Sequence, residues 1–236
     1  MKYFKAKKGP VKKQPFFSLD EIEEICTTEL RKVELLPMDP ESIRIDRFIE
    51  KRFGNILEYE DLGDKILGYS HFGPSGVNKI AISKLLDEDG NIPAERRLRT
   101  TLAHECGHCL LHAHLFVDGL PAKNLFGEDS NGEAKIFCRD IVGVSSDAEN
   151  KGYKGNWWEY QANKAMSALL MPRVLVYKAI QPYLVKSGFL QAPKLKESER
   201  VRAEKELANI FNVNPIVVRI KLTELFPVIV DAQMTF

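Results

Sequence analysis

The chain of 236 residues is poor in cysteine, carries almost no net charge and lacks long apolar runs. Four cysteines are too few to imply a disulfide framework, which favours a reducing compartment, the cytoplasm. A formal net charge of +1 gives no general attraction to nucleic acid or to membranes. No apolar run is long enough to span a bilayer, and the lysine-rich N-terminus is not followed by the apolar core of a secretory signal. We therefore expect a globular cytoplasmic protein with no membrane partner.

Lysines dominate the N-terminus, and residues 1–17 are predicted to be a flexible basic tail ahead of one folded domain over residues 18–236. A nucleic-acid-binding arm is the alternative, but the lysines are not accompanied by arginine. Ser18 and Glu21 have the spacing of a helix capping box, and apolar residues recur at helical spacing after them. The folded domain is therefore expected to begin with a helix.

A second helix is predicted to begin at Pro40, and a small sheet is predicted to follow it. Short stretches of strand character cover residues 56–59, 65–72 and 79–82. Pro93 then marks the start of a long helix that contains most of the histidines. The order of these elements predicts a mixed α+β domain in which a small sheet precedes the histidine-rich helix.

That helix contains an H-E-x-x-H pattern, His104-Glu105-Cys106-Gly107-His108. Side chains four residues apart in a helix point the same way, so the two imidazoles could bind one Zn²⁺. Glu105 would lie close enough to touch a metal-bound water and to take its proton. The alternative is a surface helix with two histidines and a salt-bridging glutamate.

His112 continues the stripe of the two motif histidines. It could be a metal ligand, a hydrogen-bonding partner of a ligand or a helix-end histidine, and we favour the last two because it lies a further turn from the metal. Cys106 and Cys109 fall on the back of the helix, where they could form a second metal site with Cys138. We favour core packing, because free cysteines are among the most buried residues.

Residues 117–156 contain six glycines and little periodicity, which indicates an insert that is mostly loop. One strand is predicted inside it, over residues 136–142. A loop segment of this length could be a lid, a recognition element or a passive insertion.

Trp157 begins a further predicted helix, with Glu159 in its first turn. A catalytic H-E-x-x-H site needs a third protein ligand and an open fourth position, and Glu159 is the candidate third ligand. Asn163 lies one turn later on the same face and could hydrogen-bond a ligand histidine, which would fix its tautomer. The alternative for Glu159 is an N-terminal acid that interacts favourably with the helix dipole.

Two runs of sequence together resemble the ImmA/IrrE family of metallo-endopeptidases. They are Leu-Ala-His-Glu-x-Gly-His over residues 102–108 and Ala-Asn followed by Leu-Leu-Met-Pro over residues 162–172. The similarity covers roughly residues 40–225. It implies a mostly helical, zincin-like fold of the gluzincin type, with a small antiparallel or mixed sheet before the H-E-x-x-H helix.

The resemblance also implies roles for particular residues. His104, His108 and Glu159 would be the zinc ligands, with Zn²⁺ as the cofactor, and Glu105 would be the general base. Members of the family act on helix-turn-helix repressors of phages, mobile elements or stress operons, so the implied partner is a protein substrate of that kind. The spacing between the second histidine and Glu159 is longer here than is usual in the family.

An edge strand is also expected, because zinc peptidases bind the substrate as an added strand along the edge of a sheet. The candidate substrate-binding strand is formed by Lys79, Ile80, Ala81 and Ile82. This choice depends on their order in the sequence, just before the H-E-x-x-H helix.

Residues 200–226 resemble a helix-turn-helix, with Arg219 and Lys221 on the second helix. We favour packing against the core over direct nucleic-acid binding, because the second helix carries few basic and amide side chains. The sequence as a whole predicts a zinc metallo-endopeptidase. The alternatives are a zinc-containing module that binds a regulator protein without cutting it, and a DNA-binding regulator.

Overall fold

A computed structural model of the chain describes residues 2–5, 13–88, 90–117, 134–138, 157–185 and 193–227. The fold is mixed α+β. The helices are α1 (Leu19–Lys32), α2 (Ile45–Phe53), α3 (Leu85–Glu88), α4 (Ile92–His112), α5 (His114–Val117), α6 (Trp157–Leu170), α7 (Arg173–Ile180), α8 (Arg200–Ile210) and α9 (Pro215–Leu225). The strands are β1 (Lys2–Lys5), β2 (Lys13–Phe16), β3 (Leu57–Glu60), β4 (Gly68–Gly73), β5 (Gly76–Ser83), β6 (Ala134–Cys138), β7 (Leu184–Val185) and β8 (Lys194–Leu195). Within these ranges, none of the helices combines the length and apolar character that crossing a membrane requires.

The first helix begins as predicted, whereas the second does not. Ser18 accepts a hydrogen bond from the backbone of Glu21, whose side chain bonds back to Ser18, so the capping box is confirmed. The prediction that a helix begins at Pro40 is wrong, because α2 starts only at Ile45. Ile43 is buried ahead of the helix, and its carbonyl accepts a hydrogen bond of 2.8 Å from Arg99 Nη2. This long-range contact holds the segment outside the helix.

The four-stranded sheet has the order β3-β5-β4-β6. β5 pairs in parallel with β3 on one side and antiparallel with β4 on the other. The prediction that residues 79–82 form an edge strand is therefore wrong, since both edges of β5 are occupied. β6 lies at one edge of the sheet, paired antiparallel with β4, and the described part of the predicted strand over 136–142 belongs to it.

The N-terminal segment is not a flexible tail where the structure describes it. β1 and β2 pair antiparallel as a hairpin, with Phe4 and Phe16 in edge-to-face contact at 5.4 Å between ring centroids. Pro15 is buried, and its carbonyl accepts a hydrogen bond of 2.8 Å from the side chain of Gln161. The prediction for residues 1–17 is thus wrong for β1 and β2, which a distant helix helps to hold in place.

The C-terminal helices α8 and α9 form the predicted pair around a short turn, and the two basic residues of α9 have carboxylate partners within the protein. Lys221 is 2% exposed and forms an ion pair with Glu23 of α1. Arg219 Nε lies 3.2 Å from a carboxylate oxygen of Glu204. Because Lys221 is buried and paired with Glu23, the face of α9 that carries it packs against the protein. That face does not offer cations to DNA.

We expect Lys221→Met to destabilise the protein by about 3–5 kcal/mol, because it leaves the Glu23 carboxylate buried without its cation. Combining it with Glu23→Leu should recover most of that loss, since the unpaired charge is then removed as well. Urea unfolding at neutral pH measures both effects. The control is Lys205→Met at an exposed position of α8, for which a change within about 0.5 kcal/mol is expected. An equally small change for Lys221→Met would contradict the internal role of this pair.

Candidate metal centre

Helices α4 and α6 cross closely at Gly107. A Cβ atom at this position would lie 2.9 Å from the carbonyl oxygen of Ala162 and 3.0 Å from the Cβ atom of Ala165. Such distances are shorter than carbon atoms tolerate, so only glycine lets the two backbones approach this far. The close crossing brings the first turn of α6 against the histidines of α4.

Three potential metal-ligand side chains meet beside this crossing, namely His104, His108 and Glu159. The Nε2 atoms of the histidines are 3.1 Å apart. Glu159 Oε2 lies 3.1 Å from His104 Nε2, and its Oε1 lies 3.6 Å from His108 Nε2. Ligands bound tetrahedrally to one zinc ion at its usual bond lengths are about 3.3–3.4 Å apart. The spacing of the three side chains therefore fits one ion, and their donor set of two imidazoles and a carboxylate is one that zinc accepts.

The environment sets the charge of each group in this cluster. Burial would raise the pKa of the Glu159 carboxyl, but the imidazoles of His108 and His104 hold it far below its usual range, so Glu159 is ionised. Burial lowers the pKa of His108. The pKa of His104 is raised, because the hydrogen bond and charge of Glu159 outweigh the effect of burial. When both imidazoles are neutral, the ionised carboxylate gives the cluster a net negative charge that attracts a cation.

The two candidate ligand histidines are oriented by further contacts. His104 Nδ1 lies 3.1 Å from Asn163 Oδ1. His108 Nδ1 lies 3.0 Å from His112 Nδ1. When Nδ1 of His104 donates to the amide oxygen, Nε2 of this neutral ring carries a bare electron pair directed at the cluster.

Glu105 lies next to the cluster and is fully buried. Its Oε2 accepts a hydrogen bond of 2.6 Å from Ser70 Oγ of β4, whereas Oε1 has no hydrogen-bond partner among the residues that the structure describes. Burial raises the pKa of this carboxyl to about 8. A carboxyl oxygen of Glu105 also lies within 4.8 Å of His104 and of the Cys138 sulfur. A buried oxygen without a partner, this close to a ligand histidine, is suited to bind a water or a substrate proton.

The predicted site residues divide clearly by position. Those on α4 and α6 come together: His104, Glu105, His108, His112, Glu159 and Asn163. The four predicted substrate-binding residues on β5 do not join them. Lys79 Nζ lies 2.5 Å from a carboxylate oxygen of Glu60, and Ile80, Ala81 and Ile82 are buried in the core.

Three residues at or beside the cluster were not predicted to belong to it: Ser70, Cys138 and Gln161. Ser70 and Cys138 reach it through strand pairing between β4 and β6, which no local pattern signals. Gln161 Oε1 lies 3.1 Å from His112 Nε2. It shares a helical stripe with Trp157, whose ring meets that of His112 edge to face. The one available signal was a polar residue four positions from a tryptophan on an otherwise apolar face.

The four cysteines are buried and form no disulfide bonds. Cys26, Cys106 and Cys109 are packed in the core, as predicted for the two on α4. Burial raises the pKa of each of these thiols, which keeps them protonated.

No protein-family model and no curated protein matches the chain.

We expect Gly107→Ala to weaken both the fold and metal binding. Helix propensity alone would favour alanine by roughly 1 kcal/mol, but the overpacked methyl group should cost about 1–3 kcal/mol and push α6 away from α4. Thermal unfolding and zinc titration measure the two effects. Adding Ala165→Gly removes one of the two close contacts and should restore part of the zinc affinity. A Gly107→Ala protein with unchanged zinc affinity would contradict this account of the crossing.

We expect Glu159→Gln to lower the affinity for Zn²⁺ by more than about 100-fold, since changes to residues that only support ligands already cost 10–100-fold. The amide keeps the shape of the side chain but loses the negative charge. Competition with a chromophoric chelator at neutral pH measures the affinity. Glu41→Gln, at an exposed position, is the matched control and should bind as the unchanged protein does. Equal affinities in the two variants would exclude Glu159 as a ligand.

Proposed function

We propose that this protein is a zinc-dependent endopeptidase with a zincin-like fold, related in mechanism to the ImmA/IrrE family that its sequence resembles. The observation that carries the proposal is the meeting of His104, His108 and Glu159 at the spacing of tetrahedral ligands. The buried Oε1 of Glu105 lies beside these three side chains and has no hydrogen-bond partner among the described residues. A metal site with a purely structural role would have no need for it. Three protein ligands and an adjacent carboxylate are the parts that metal-assisted hydrolysis needs.

Each side chain has a distinct part in the reaction. His104, His108 and Glu159 would hold Zn²⁺, which would supply Lewis acidity towards a water molecule and the scissile carbonyl. A cation bound at the cluster would favour the ionised form of Glu105, and the ionised carboxylate accepts a proton from the attacking water at Oε1 and passes it to the leaving amine. The Ser70 hydroxyl holds Oε2, which leaves Oε1 as the oxygen that exchanges the proton. Asn163 keeps the His104 ring in one orientation during the cycle.

The substrate strand is best accommodated along β6 rather than along β5. Within the described residues β3 and β6 are the two edge strands of the sheet, and Cys138 at the end of β6 lies within 4.8 Å of the Glu105 carboxyl. An extended peptide added beside β6 would pass the metal ligands of α4. The sequence resemblance supports a helix-turn-helix regulator as the source of that peptide.

We expect Glu105→Gln to keep one zinc ion per chain while peptide cleavage falls by at least about 100-fold, the usual contribution of a general base. The purified zinc-loaded protein is incubated with the regulator encoded beside its gene, and the fragments are identified by mass spectrometry. Glu95→Gln, in the first turn of the same helix, is the matched control and should cleave as the unchanged protein does.

The same experiment tests the alternative of a non-cleaving module. Discrete fragments that disappear in the Glu105→Gln variant support the peptidase. An intact complex of the regulator with the unchanged protein and with the Glu105→Gln variant favours a binding module. Cleavage that survives Glu105→Gln would contradict the role given to Glu105.

A further inference from the structure

A chain of buried polar contacts runs from the metal ligands to the N-terminal hairpin. His108 Nδ1 lies 3.0 Å from His112 Nδ1, and His112 Nε2 lies 3.1 Å from Gln161 Oε1. Gln161 Nε2 then donates to the carbonyl oxygen of Pro15 at 2.8 Å. His108, His112 and Gln161 are each at most 4% exposed, so water does not compete for these contacts.

The Pro15 carbonyl determines which atom donates and which accepts in every hydrogen bond of this series. The carbonyl of Pro15 can only accept, so the amide nitrogen of Gln161 faces it and the amide oxygen faces His112. His112 must then donate from Nε2. A neutral imidazole has a single N–H, so Nδ1 of His112 is an acceptor and Nδ1 of His108 is the donor. The proton of His108 is thereby held on the side away from Glu159.

We infer that Gln161, oriented by the Pro15 carbonyl of the N-terminal hairpin, is a positioning residue that keeps Nε2 of His108 unprotonated for metal binding. Reversing the Gln161 amide would reverse each bond in turn and place the proton of His108 on Nε2, the atom that a metal ion requires bare. The inference depends on the metal centre proposed above and not on peptide hydrolysis.

The hairpin explains why the amide does not reverse. A reversed amide would set its oxygen against the Pro15 carbonyl oxygen, and two acceptors facing each other in a buried site lose a hydrogen bond and repel. Strand β2 therefore acts on the metal centre through the backbone carbonyl of Pro15. His104 is oriented separately, through Asn163.

The first test uses the unmodified full-length protein without metal. Nitrogen-15 NMR of the imidazole rings distinguishes the two neutral tautomers directly. We expect His108 as the Nδ1–H form and His112 as the Nε2–H form above the pH at which both rings are neutral. Finding His108 as the Nε2–H form would overturn the inference, whether or not the protein proves to be a peptidase.

The second test removes the amide donor and acceptor of Gln161 and keeps a side chain of similar volume. Gln161→Met should make the His108 tautomer mixed and lower the zinc affinity by roughly tenfold, the lower end for residues that support ligands. Gln181→Met is the control, since Gln181 is exposed and its side chain donates to the Tyr177 carbonyl in its own turn. Unchanged tautomers and affinity in Gln161→Met would overturn the inference.

A pair of variants at His112 separates hydrogen bonding from space filling. His112→Gln keeps a strong acceptor for His108 Nδ1, whereas His112→Met has a similar length and offers only a weakly accepting thioether sulfur. We expect the glutamine variant to bind zinc at least tenfold more tightly than the methionine variant. Equal affinities in the two, with both proteins folded by circular dichroism, would show that His112 merely fills space and would contradict the relay.

Discussion

Two helices provide the potential ligand atoms of the candidate metal centre, and the distance between these helices is fixed by the absence of a side chain at Gly107. If α6 lay even a few tenths of an ångström further away, Glu159 Oε2 would move beyond its present 3.1 Å from His104 Nε2. The crossing also buries both histidines and Glu105 fully, whereas the Glu159 side chain stays 26% exposed. Packing of two backbones thus sets both the geometry of the ligands and the low dielectric in which they act.

The parts of the site that could be predicted are those encoded by spacing along a single helix. His104, Glu105 and His108 share a helix, and Glu159 and Asn163 are separated by one turn of another, so periodicity alone puts each set on one face. The capping box at the start of α1 is local in the same sense. Spacing alone does not predict that the faces of these two helices meet. That expectation came from the sequence resemblance.

What could not be predicted depends on contacts between residues far apart in the chain. Whether β5 is central or at an edge is decided by β3 on its other side, which a list of strands does not specify. Ser70 becomes a partner of Glu105 only because β4 packs under α4. The hairpin of β1 and β2 is rich in lysine, so its composition resembles a tail, and the hydrogen bond from Gln161 to Pro15 has no signature in either segment.

Helix α6 has two stripes of side chains that face α4. This arrangement couples metal binding to the orientation of the histidine rings. One stripe carries Glu159 and Asn163 against His104, and the other carries Trp157 and Gln161 against His112. A displacement of α6 would remove a ligand and misorient both histidines in the same movement. A buried network whose members are only partly paired is less favourable than none, so intermediate positions of α6 are disfavoured. The site is therefore expected to form as a unit, and the segment that holds the outermost amide, the N-terminal hairpin, belongs to that unit even though it lies far from it in sequence.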